Sequence, residues 1–488
     1  MEDNKTEIYQ FRMWGRRFAV DRGNGNFFEV DEITSKAIKL MRNSSMKWTK
    51  QRIMAEYGFK AADKAVENLS LFSKSMKPLS HCIAEKNIAR RITDLTLNIV
   101  NSCNLKCRYC WNEGGSYGNF LDKSQMMDEI TAINAVDILL KESSGSKDLV
   151  VDFYGGEPLL NFELIKKVVI YCKKIQNEKK TNFRFLLATN GTLLSKERGE
   201  FLIKNGVDIA VSLDGPRQIH DMHRPFLGGR GGSFDVIMSN INSLSREYRE
   251  KIVGRATFTP YSTMLVRIFR FLRNRGFNRI ELCESEKAGY GLDSKSDFFF
   301  SGEDGIRKLK KLYYNLAIFY SQEVSKGRLT YENTYFNRFF KQLSRLYNIH
   351  SVDDCCSAGK NLMSVDIDGS IYPCTAFIGR KQFRIGKVNT GIDKNKIRSF
   401  LGVKICSCDV CNMCWAKKLC QGCGSCYNLN FFSNNSLERP DHFYCEIFRY
   451  KTKLMIAMIA EIGERSPELL DKLLIPEYYT VRGKIKNN

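Results

Sequence analysis

Three cysteines stand close together in Cys103-Asn104-Leu105-Lys106-Cys107-Arg108-Tyr109-Cys110, a C-x3-C-x2-C spacing. Three thiolates on one short loop can bind three irons of a cubane 4Fe–4S cluster. The fourth iron then lacks a protein ligand, and an open position of that kind can accept a chelating molecule, as catalytic metal sites do. Zinc and free thiols are the plainer alternatives. Zinc usually takes a fourth protein ligand, and the neighbouring sequence offers no obvious one. A second concentration follows downstream. Of the 17 cysteines, 11 lie between Cys355 and Cys445. They run as Cys356-x12-Gly369-x4-Cys374, then Cys408-x2-Cys411-x2-Cys414-x5-Cys420-x2-Cys423-x2-Cys426, then Cys445. Zinc knuckles are again the plain alternative, and the spacing is too dense for chance. Seventeen is odd, and a chain without a secretory leader is expected in the cytoplasm, where clustered cysteines read as metal ligands rather than disulfides.

These residues need elements to position them. From about Thr93 to Glu284 the pattern alternates strand and helix. The expected strands are Leu95–Val100, Leu149–Tyr154, Phe183–Thr189, Val207–Leu213, Ile252–Thr259 and Arg279–Cys283. Helical stretches such as Met127–Lys141, Phe162–Ile175 and Lys196–Asn205 lie between them. Repeated β–α units imply a parallel sheet with right-handed crossovers. Six units predict an α/β fold with a partial (β/α)6, TIM-like barrel, whose active site forms at the C-terminal strand ends. The polar motifs fall there. Cys103–Cys110 follows the first strand, Gly155-Gly156-Glu157-Pro158 the second, Asn190-Gly191 the third and Asp214-Gly215-Pro216 the fourth.

In front, Arg17–Asp21 and Asn26–Val30 flank Gly23-Asn24-Gly25, a hairpin signal. Helical patterns follow near Thr34–Met41, Thr49–Tyr57 and Ala62–Ser73. The division expected is a winged-helix-like module at 1–90, the barrel at 91–302, a helical bridge at 303–350, a cysteine-rich domain at 351–450, and a C-terminal helix (Lys453–Ile462) with a basic tail at 451–488. No internal repeat is evident.

Composition sets the outer limits. The 488 residues suggest two to four domains. Apolar content of 43% and charged content of 27% are those of a globular chain. Lys+Arg 76 against Asp+Glu 54 gives +22. That surplus reads as a soluble basic surface or as an anionic partner, nucleic acid or acidic peptide. The acidic opening MEDNKTE, with no apolar segment after it, argues against a secretory signal. No apolar run approaches the roughly 18 residues of a membrane helix.

The C-x3-C-x-aromatic-C motif, with Tyr109 in the aromatic position, resembles the signature of the radical S-adenosylmethionine (SAM) superfamily. The resemblance implies that Cys103, Cys107 and Cys110 hold a 4Fe–4S cluster and that SAM chelates its fourth iron. Reductive cleavage of SAM would then give a 5′-deoxyadenosyl radical that abstracts a substrate hydrogen. Gly155-Gly156-Glu157-Pro158 resembles the family's GGEP motif, where backbone groups and the Glu157 carboxylate would receive the SAM ammonium. Asn190, Ser212, Asp214 and Arg255 correspond to positions that line the SAM site in relatives, with Arg255 toward the SAM carboxylate. His220-Asp221-x-His223-Arg224 resembles an architectural loop beside that site, with metal ligation by the two histidines as the minor alternative. The general base is not assignable.

The downstream cysteines resemble a SPASM domain, which binds auxiliary 4Fe–4S clusters in peptide-modifying members. The resemblance implies Cys411, Cys414, Cys420 and Cys445 for one cluster, and Cys356 and Cys374 for the other. The family's next ligand position falls here on Gly424, so Cys423 or Cys426 must substitute; Cys355, Cys406 and Cys408 are further candidates. Cys82, Cys172 and Cys283 read as interior residues. Trp415 after Cys414, and the phrase Cys356-Ser-Ala-Gly…Gly369-Ser-Ile-Tyr-Pro-Cys374, are most similar to thioether-forming (ranthipeptide/SCIFF-type) peptide maturases. The front module resembles a leader-peptide recognition element, which captures a peptide as an added strand; a DNA-binding winged helix is the alternative. The implied partners are a precursor peptide and a flavodoxin- or ferredoxin-type reductant, with no membrane and no nucleic acid. A sulfatase-maturase-like, formylglycine-forming enzyme is the nearest rival. Other peptide-crosslinking or epimerising radical SAM enzymes come next, then a non-catalytic iron–sulfur protein.

Overall fold

The computed structural model describes residues 8–23, 25–74, 90–118, 125–229, 231–262, 264–286, 297–330, 338–347, 356–403, 408–420 and 426–469. Cys82, Cys355, Cys406 and Cys423 lie outside the described residues, as does the basic tail.

The chain begins with three antiparallel strands, β1 (Ile8–Met13), β2 (Arg16–Asp21) and β3 (Phe27–Glu29), in the order β1-β2-β3. The hairpin expected around Gly23–Gly25 joins β2 to β3. β1 was not legible in the sequence. Its turn is Trp14-Gly15, both at positive φ (52° and 77°), which a two-residue hairpin loop demands; an Asn-Gly or Asp-Gly pair would have announced it. Helices α1 (Glu32–Met41), α2 (Met46–Tyr57) and α3 (Phe59–Lys74) follow. One face of the small sheet (Ile8, Ala19) joins a core with Ala37, Ile38, Ile53, Ala62 and Leu69 of these helices. The other face (Phe11, Met13, Phe18, Val20) belongs to the main core of the protein. Alternation along the strands thus gives the module two partners.

Six parallel strands come next: β4 (Asp94–Asn98), β5 (Asp148–Tyr154), β6 (Asn182–Thr189), β7 (Val207–Ser212), β8 (Val253–Phe258) and β9 (Arg279–Glu284). Each lies within two residues of its expected bounds. The crossovers are α4 (Glu129–Glu142), α5 (Phe162–Lys179), α6 (Lys196–Lys204), the trio α7 (Arg217–His223), α8 (Phe234–Ser243) and α9 (Arg246–Lys251), and α10 (Leu265–Asn274). Leu149, Val151 and Phe153 of β5 are fully buried, while Val150, Asp152 and Tyr154 on the opposite face are half-buried. That second face is polar and ion-paired: Arg184 meets Asp208 at 2.7 Å and Arg255 meets Glu281 at 3.6 Å.

Helices α11 (Gly302–Ser325) and α12 (Arg338–Tyr347) form the bridge. The cysteine-rich region is not a separate layer. Its strand β10 (Leu362–Val365) pairs parallel with β4, and β11 (Ser370–Tyr372), β12 (Gly386–Lys387) and β13 (Gly391–Ile392) continue antiparallel, giving one ten-stranded mixed sheet. Helices α13 (Lys394–Leu401), α14 (Asp409–Asn412) and α15 (Tyr427–Asn434) follow. The last helix, α16 (His442–Arg465), starts well before the apolar stretch that betrayed it and carries Cys445 in its first turn. Among the described residues, no helix is long and apolar enough to cross a membrane.

The N-terminal sheet docks on the cysteine-rich region through Tyr9 and Trp415, stacked with centroids 4.5 Å apart and planes 7° from parallel. Lys453 of α16 donates to the Tyr9 hydroxyl at 2.7 Å and lies over both rings. Trp415→Ala should therefore cost about 3 kcal/mol, the scale for a buried Trp. It should also let residues 8–74 melt before the rest in a thermal scan. A single unchanged transition would contradict this docking.

Candidate active site

The loop after β4 is laced to the loop after α7. Lys106 N donates to Pro225 O (2.9 Å), Arg108 N donates to His223 O (3.0 Å), and Leu105 bridges Phe226. Each of the three sulfurs receives an N–H. Cys103 accepts from Leu105 N (3.4 Å) and Asn190 Nδ2 (3.7 Å), Cys107 from Arg224 Nη1 (3.8 Å) and Cys110 from Gly114 N (3.2 Å). Burial pushes the Cys103 thiol up to about 12 and raises Cys107 and Cys110 as well. Thiolates here therefore call for a cation.

The glycines of the GGEP turn make room for protein backbone. A Cβ on Gly156 would lie 2.0 Å from both Gly114 O and Ser102 O; Gly155, at φ +146°, faces Val100 O at 2.4 Å. The turn is thus pressed onto the cysteine loop. The Glu157 carboxylate is buried and accepts from Thr189 Oγ1 (2.6 Å), Asn190 N (2.7 Å) and Leu159 N (3.1 Å). Three of a carboxylate's roughly four acceptor positions are so used. Burial raises its pKa against these bonds.

Behind the loop stands Asp214. Its carboxylate accepts from the Tyr109 hydroxyl, Arg224 Nε (3.0 Å), His223 Nδ1 (3.2 Å) and Thr257 N (3.0 Å). Burial alone would raise its pKa, but Arg224 and the two histidines outweigh burial and hold it below the usual carboxylate range. His220 accepts from Asp214 N (3.2 Å) and meets Ser233 Oγ (2.9 Å), and burial lowers its pKa to about 4. Both histidines are fully buried in these bonds, which is the architectural role expected of them.

One cavity of about 200 Å³ gathers Cys103, Cys107, Tyr109, Cys110, Gly155, Gly156, Glu157, Asn190, Ser212 and Arg255. Ser212 and Arg255 sit side by side in the β7–β8 register. Two expected residues are not on its wall: Pro158 is buried at the start of a short 3-10 turn, and Asp214 lies behind Tyr109. Several residues not expected on it are there too: Arg224, read as part of an architectural loop, Cys283, and Thr189, Thr257 and Glu284–Glu286, which had not been singled out. Cys283 is buried, as its interior reading expected, and shares a β9 face with Glu281.

Among the described residues, no three His, Cys, Asp or Glu side chains converge as around a single metal ion. Three thiols with N–H donors around one cavity fit the wider footprint of a thiolate-held cluster, whose properties depend on hydrogen bonds to its sulfurs. In the cysteine-rich region, Cys356, Cys374 and Cys426 lie near one another. Cys411 N donates to Cys408 O at 3.0 Å, and Cys414 and Cys445 lie in the same neighbourhood. Among the described residues, Cys426 is thus a neighbour of Cys356, and Cys408 of Cys411. Cys420 closes a turn on Ala416 O. No described cysteine forms a disulfide.

Arg224→Gln leaves Asp214 buried without its cation and should cost about 3–5 kcal/mol in a denaturant titration; a loss below about 1 kcal/mol would contradict the buried pair. Burial raises Asp152 from 3.8 to about 7. The folded chain then keeps a proton that the unfolded chain has released, so this group's stabilisation is lost as pH rises between those values. Asp152→Asn should flatten that slope in melts across this range; an unchanged slope would contradict it.

Residues 97–272 match the family model for the Radical SAM superfamily. The cysteine-type anaerobic sulfatase-maturating enzyme of Clostridium novyi is 24% identical over 371 residues, 72% of this chain and 91% of that protein. The radical SAM cyclopropyl synthase TigE of Paramaledivibacter caminithermalis is 27% identical over 304 residues, 59% of this chain and 58% of its own length. Native anSMEcpe with bound AdoMet superposes with a TM-score of 0.63 at 20% identity, covering 76% of this chain and 99% of that one. Streptococcus suis SuiB bound to S-adenosylmethionine gives a TM-score of 0.51 at 15% identity, covering 90% of this chain and 98% of that one. Residues 97–272 therefore form a radical SAM domain, in a chain similar to the anaerobic sulfatase-maturating enzyme and to the radical SAM cyclopropyl synthase TigE.

Proposed function

We propose that the protein is a cytoplasmic radical SAM peptide maturase that joins a cysteine sulfur to a carbon of a ribosomally made precursor peptide. The observation that carries this reading is the single cavity where Cys103, Cys107 and Cys110 meet the Gly155–Glu157 turn and Arg255. When bound, a 4Fe–4S cluster and SAM supply reductive cleavage of SAM and the 5′-deoxyadenosyl radical that takes a substrate hydrogen. The three cysteines would hold that cluster through their sulfurs. Glu157 and the neighbouring backbone would receive the SAM ammonium, and Arg255, on β8, its carboxylate. Tyr109, tied to Asp214, fixes the loop.

The thioether product is the peptide less two hydrogens. One leaves as the abstracted atom. The second leaves as a proton and an electron when the C–S bond closes, and the electron needs an acceptor. Two auxiliary clusters in a SPASM-like region would provide one. Cys356, Cys374 and Cys426, with Cys423, are assigned to the first; Cys411, Cys414 and Cys445, with Cys408 or Cys420, to the second. The winged-helix-like front module would capture the leader peptide, and a flavodoxin- or ferredoxin-type protein would supply electrons. Structures of relatives hold peptides: SuiB with the precursor peptide SuiA and anSMEcpe with the Kp18Cys peptide. The similarity to sulfatase-maturating enzymes over 72% of the chain favours a second reading, formylglycine formation. The front module and Trp415 favour the first.

Reconstituted protein with dithionite and SAM should release 5′-deoxyadenosine, and Cys103→Ala, Cys107→Ala or Cys110→Ala should abolish it. No release by the wild type would sink the catalytic reading. With a cysteine-containing precursor from a neighbouring reading frame, the product should lose two hydrogens and resist thiol alkylation while keeping its sulfur. Loss of the sulfur would establish the formylglycine reading instead.

A further inference from the structure

A second cavity, of about 360 Å³, adjoins the first and shares Glu284, Ser285 and Glu286 with it. Three helices close it. Leu429 and Phe432 of α15, and Phe443 and Ile447 of α16, lie three or four residues apart, so each pair presents one helical face to the cavity. Phe300, just before α11, and Leu309, within it, complete the apolar wall. Phe300, Leu309, Leu429 and Ile447 are buried, whereas Ser301 and Gly302 on the same wall are exposed.

The polar groups on this wall are already met by the protein. Glu284 accepts from the Tyr313 hydroxyl (2.6 Å) and from Lys451 (3.4 Å). Asp441 caps α16 by accepting from Tyr444 N, and it accepts from the Ser433 hydroxyl as well. Ser285 Oγ donates to Phe298 O at 2.7 Å, and Glu286 is engaged too. Among the described residues, the wall carries no Lys, Arg or His. The position of the cavity points to its guest. One side is the stretch it shares with the cavity of the cysteine triplet. Another is the turn of α16 that also carries Cys445. A guest there lies between the centre where a hydrogen would be abstracted and the downstream cysteines.

We infer that this cavity receives a large apolar side chain, aliphatic or aromatic, of the precursor peptide, next to the residue that loses its hydrogen. The volume is that of a small ligand pocket, suited to a side chain rather than to a folded protein surface. A basic side chain would find each carboxylate already partnered and would lose its hydration among phenylalanines. An acidic one would find no cation on the described wall. The inference rests on the reading of the protein as a peptide maturase. It adds a requirement on the substrate: a large apolar residue beside the reacting one.

The probe is acetyl-Gly-(4-fluorophenylalanyl)-Gly-amide, followed by ¹⁹F NMR with the reconstituted full chain. Saturable binding is expected. The Leu counterpart should compete within about threefold, and the Ala, Lys and Glu counterparts about tenfold or more weakly, the scale for burying a large apolar side chain. Ser301→Trp and Leu429→Trp, which put bulk into the cavity, should each weaken the probe about tenfold or more. Ile130→Gln, which removes an exposed apolar side chain from α4, should change it less than about twofold. Melting curves check that the variants fold; should Leu429→Trp not fold, Ser301→Trp, at an exposed position, carries the comparison. The inference is overturned by absence of saturable binding, by equal competition from the Ala or Lys counterpart, or by indifference to Ser301→Trp. Displacement of the probe by SAM would also overturn it, since the cavity would then belong to the adenosyl group. Release of 5′-deoxyadenosine by the wild type reads the catalytic assignment separately. Release without probe binding sinks the pocket alone, and probe binding without release sinks the maturase reading while the pocket stands.

Discussion

A carboxylate buried in a protein interior must be met by donors and an opposite charge, or it will not stay ionised. Asp214 is that carboxylate here, and much of the site is arranged to satisfy it. Tyr109 reaches it from the cysteine loop, Arg224 and His223 from the end of α7, and Thr257 N from β8. Three separate stretches of chain are fixed to one another through a single side chain. Arg224 then extends from Asp214 to Cys107 and lies over the Tyr109 ring. The cation that neutralises Asp214 therefore also donates to a thiol of the cysteine loop.

The same economy appears on the other side of the loop. Gly155 and Gly156 let the turn after β5 press against residues 100–115, and Glu157 ties that turn to the end of β6. Loop and turn hold each other, so the three sulfurs are presented with their N–H donors already in place. Preorganisation of this kind spares a reactive site the cost of ordering itself when its ligands arrive.

What was legible in the sequence follows the range over which each signal acts. The six parallel strands and most of their crossovers were readable because apolar periodicity is local. The motifs at their ends were readable because an α/β sheet places polar loops at one edge. β1 was missed because its turn uses Trp14 in a left-handed conformation that few large residues adopt. The pairing of β10 with β4 was missed because nothing local marks a partner so distant in the chain. Arg224 was on view in the His-Asp-x-His-Arg stretch, but its bond to Cys107 depends on two loops meeting. The partition of the downstream cysteines was only half legible. Spacing counted them, and the fold brings Cys426 near Cys356.

The front module is also more closely integrated than its position suggests, since one face of its sheet belongs to the main core and Tyr9 stacks on Trp415. Peptide capture and chemistry would then take place in one connected body. That account depends on the cysteine triplet holding a cluster with one iron open to SAM. Mössbauer spectroscopy of ⁵⁷Fe-reconstituted protein, with and without SAM, tests this most directly. The account predicts that SAM changes the spectrum of one iron of a 4Fe–4S cluster, and that the change is lost when Cys103, Cys107 and Cys110 are replaced together by Ala. A spectrum indifferent to SAM, or the same change in the triple variant, would contradict it.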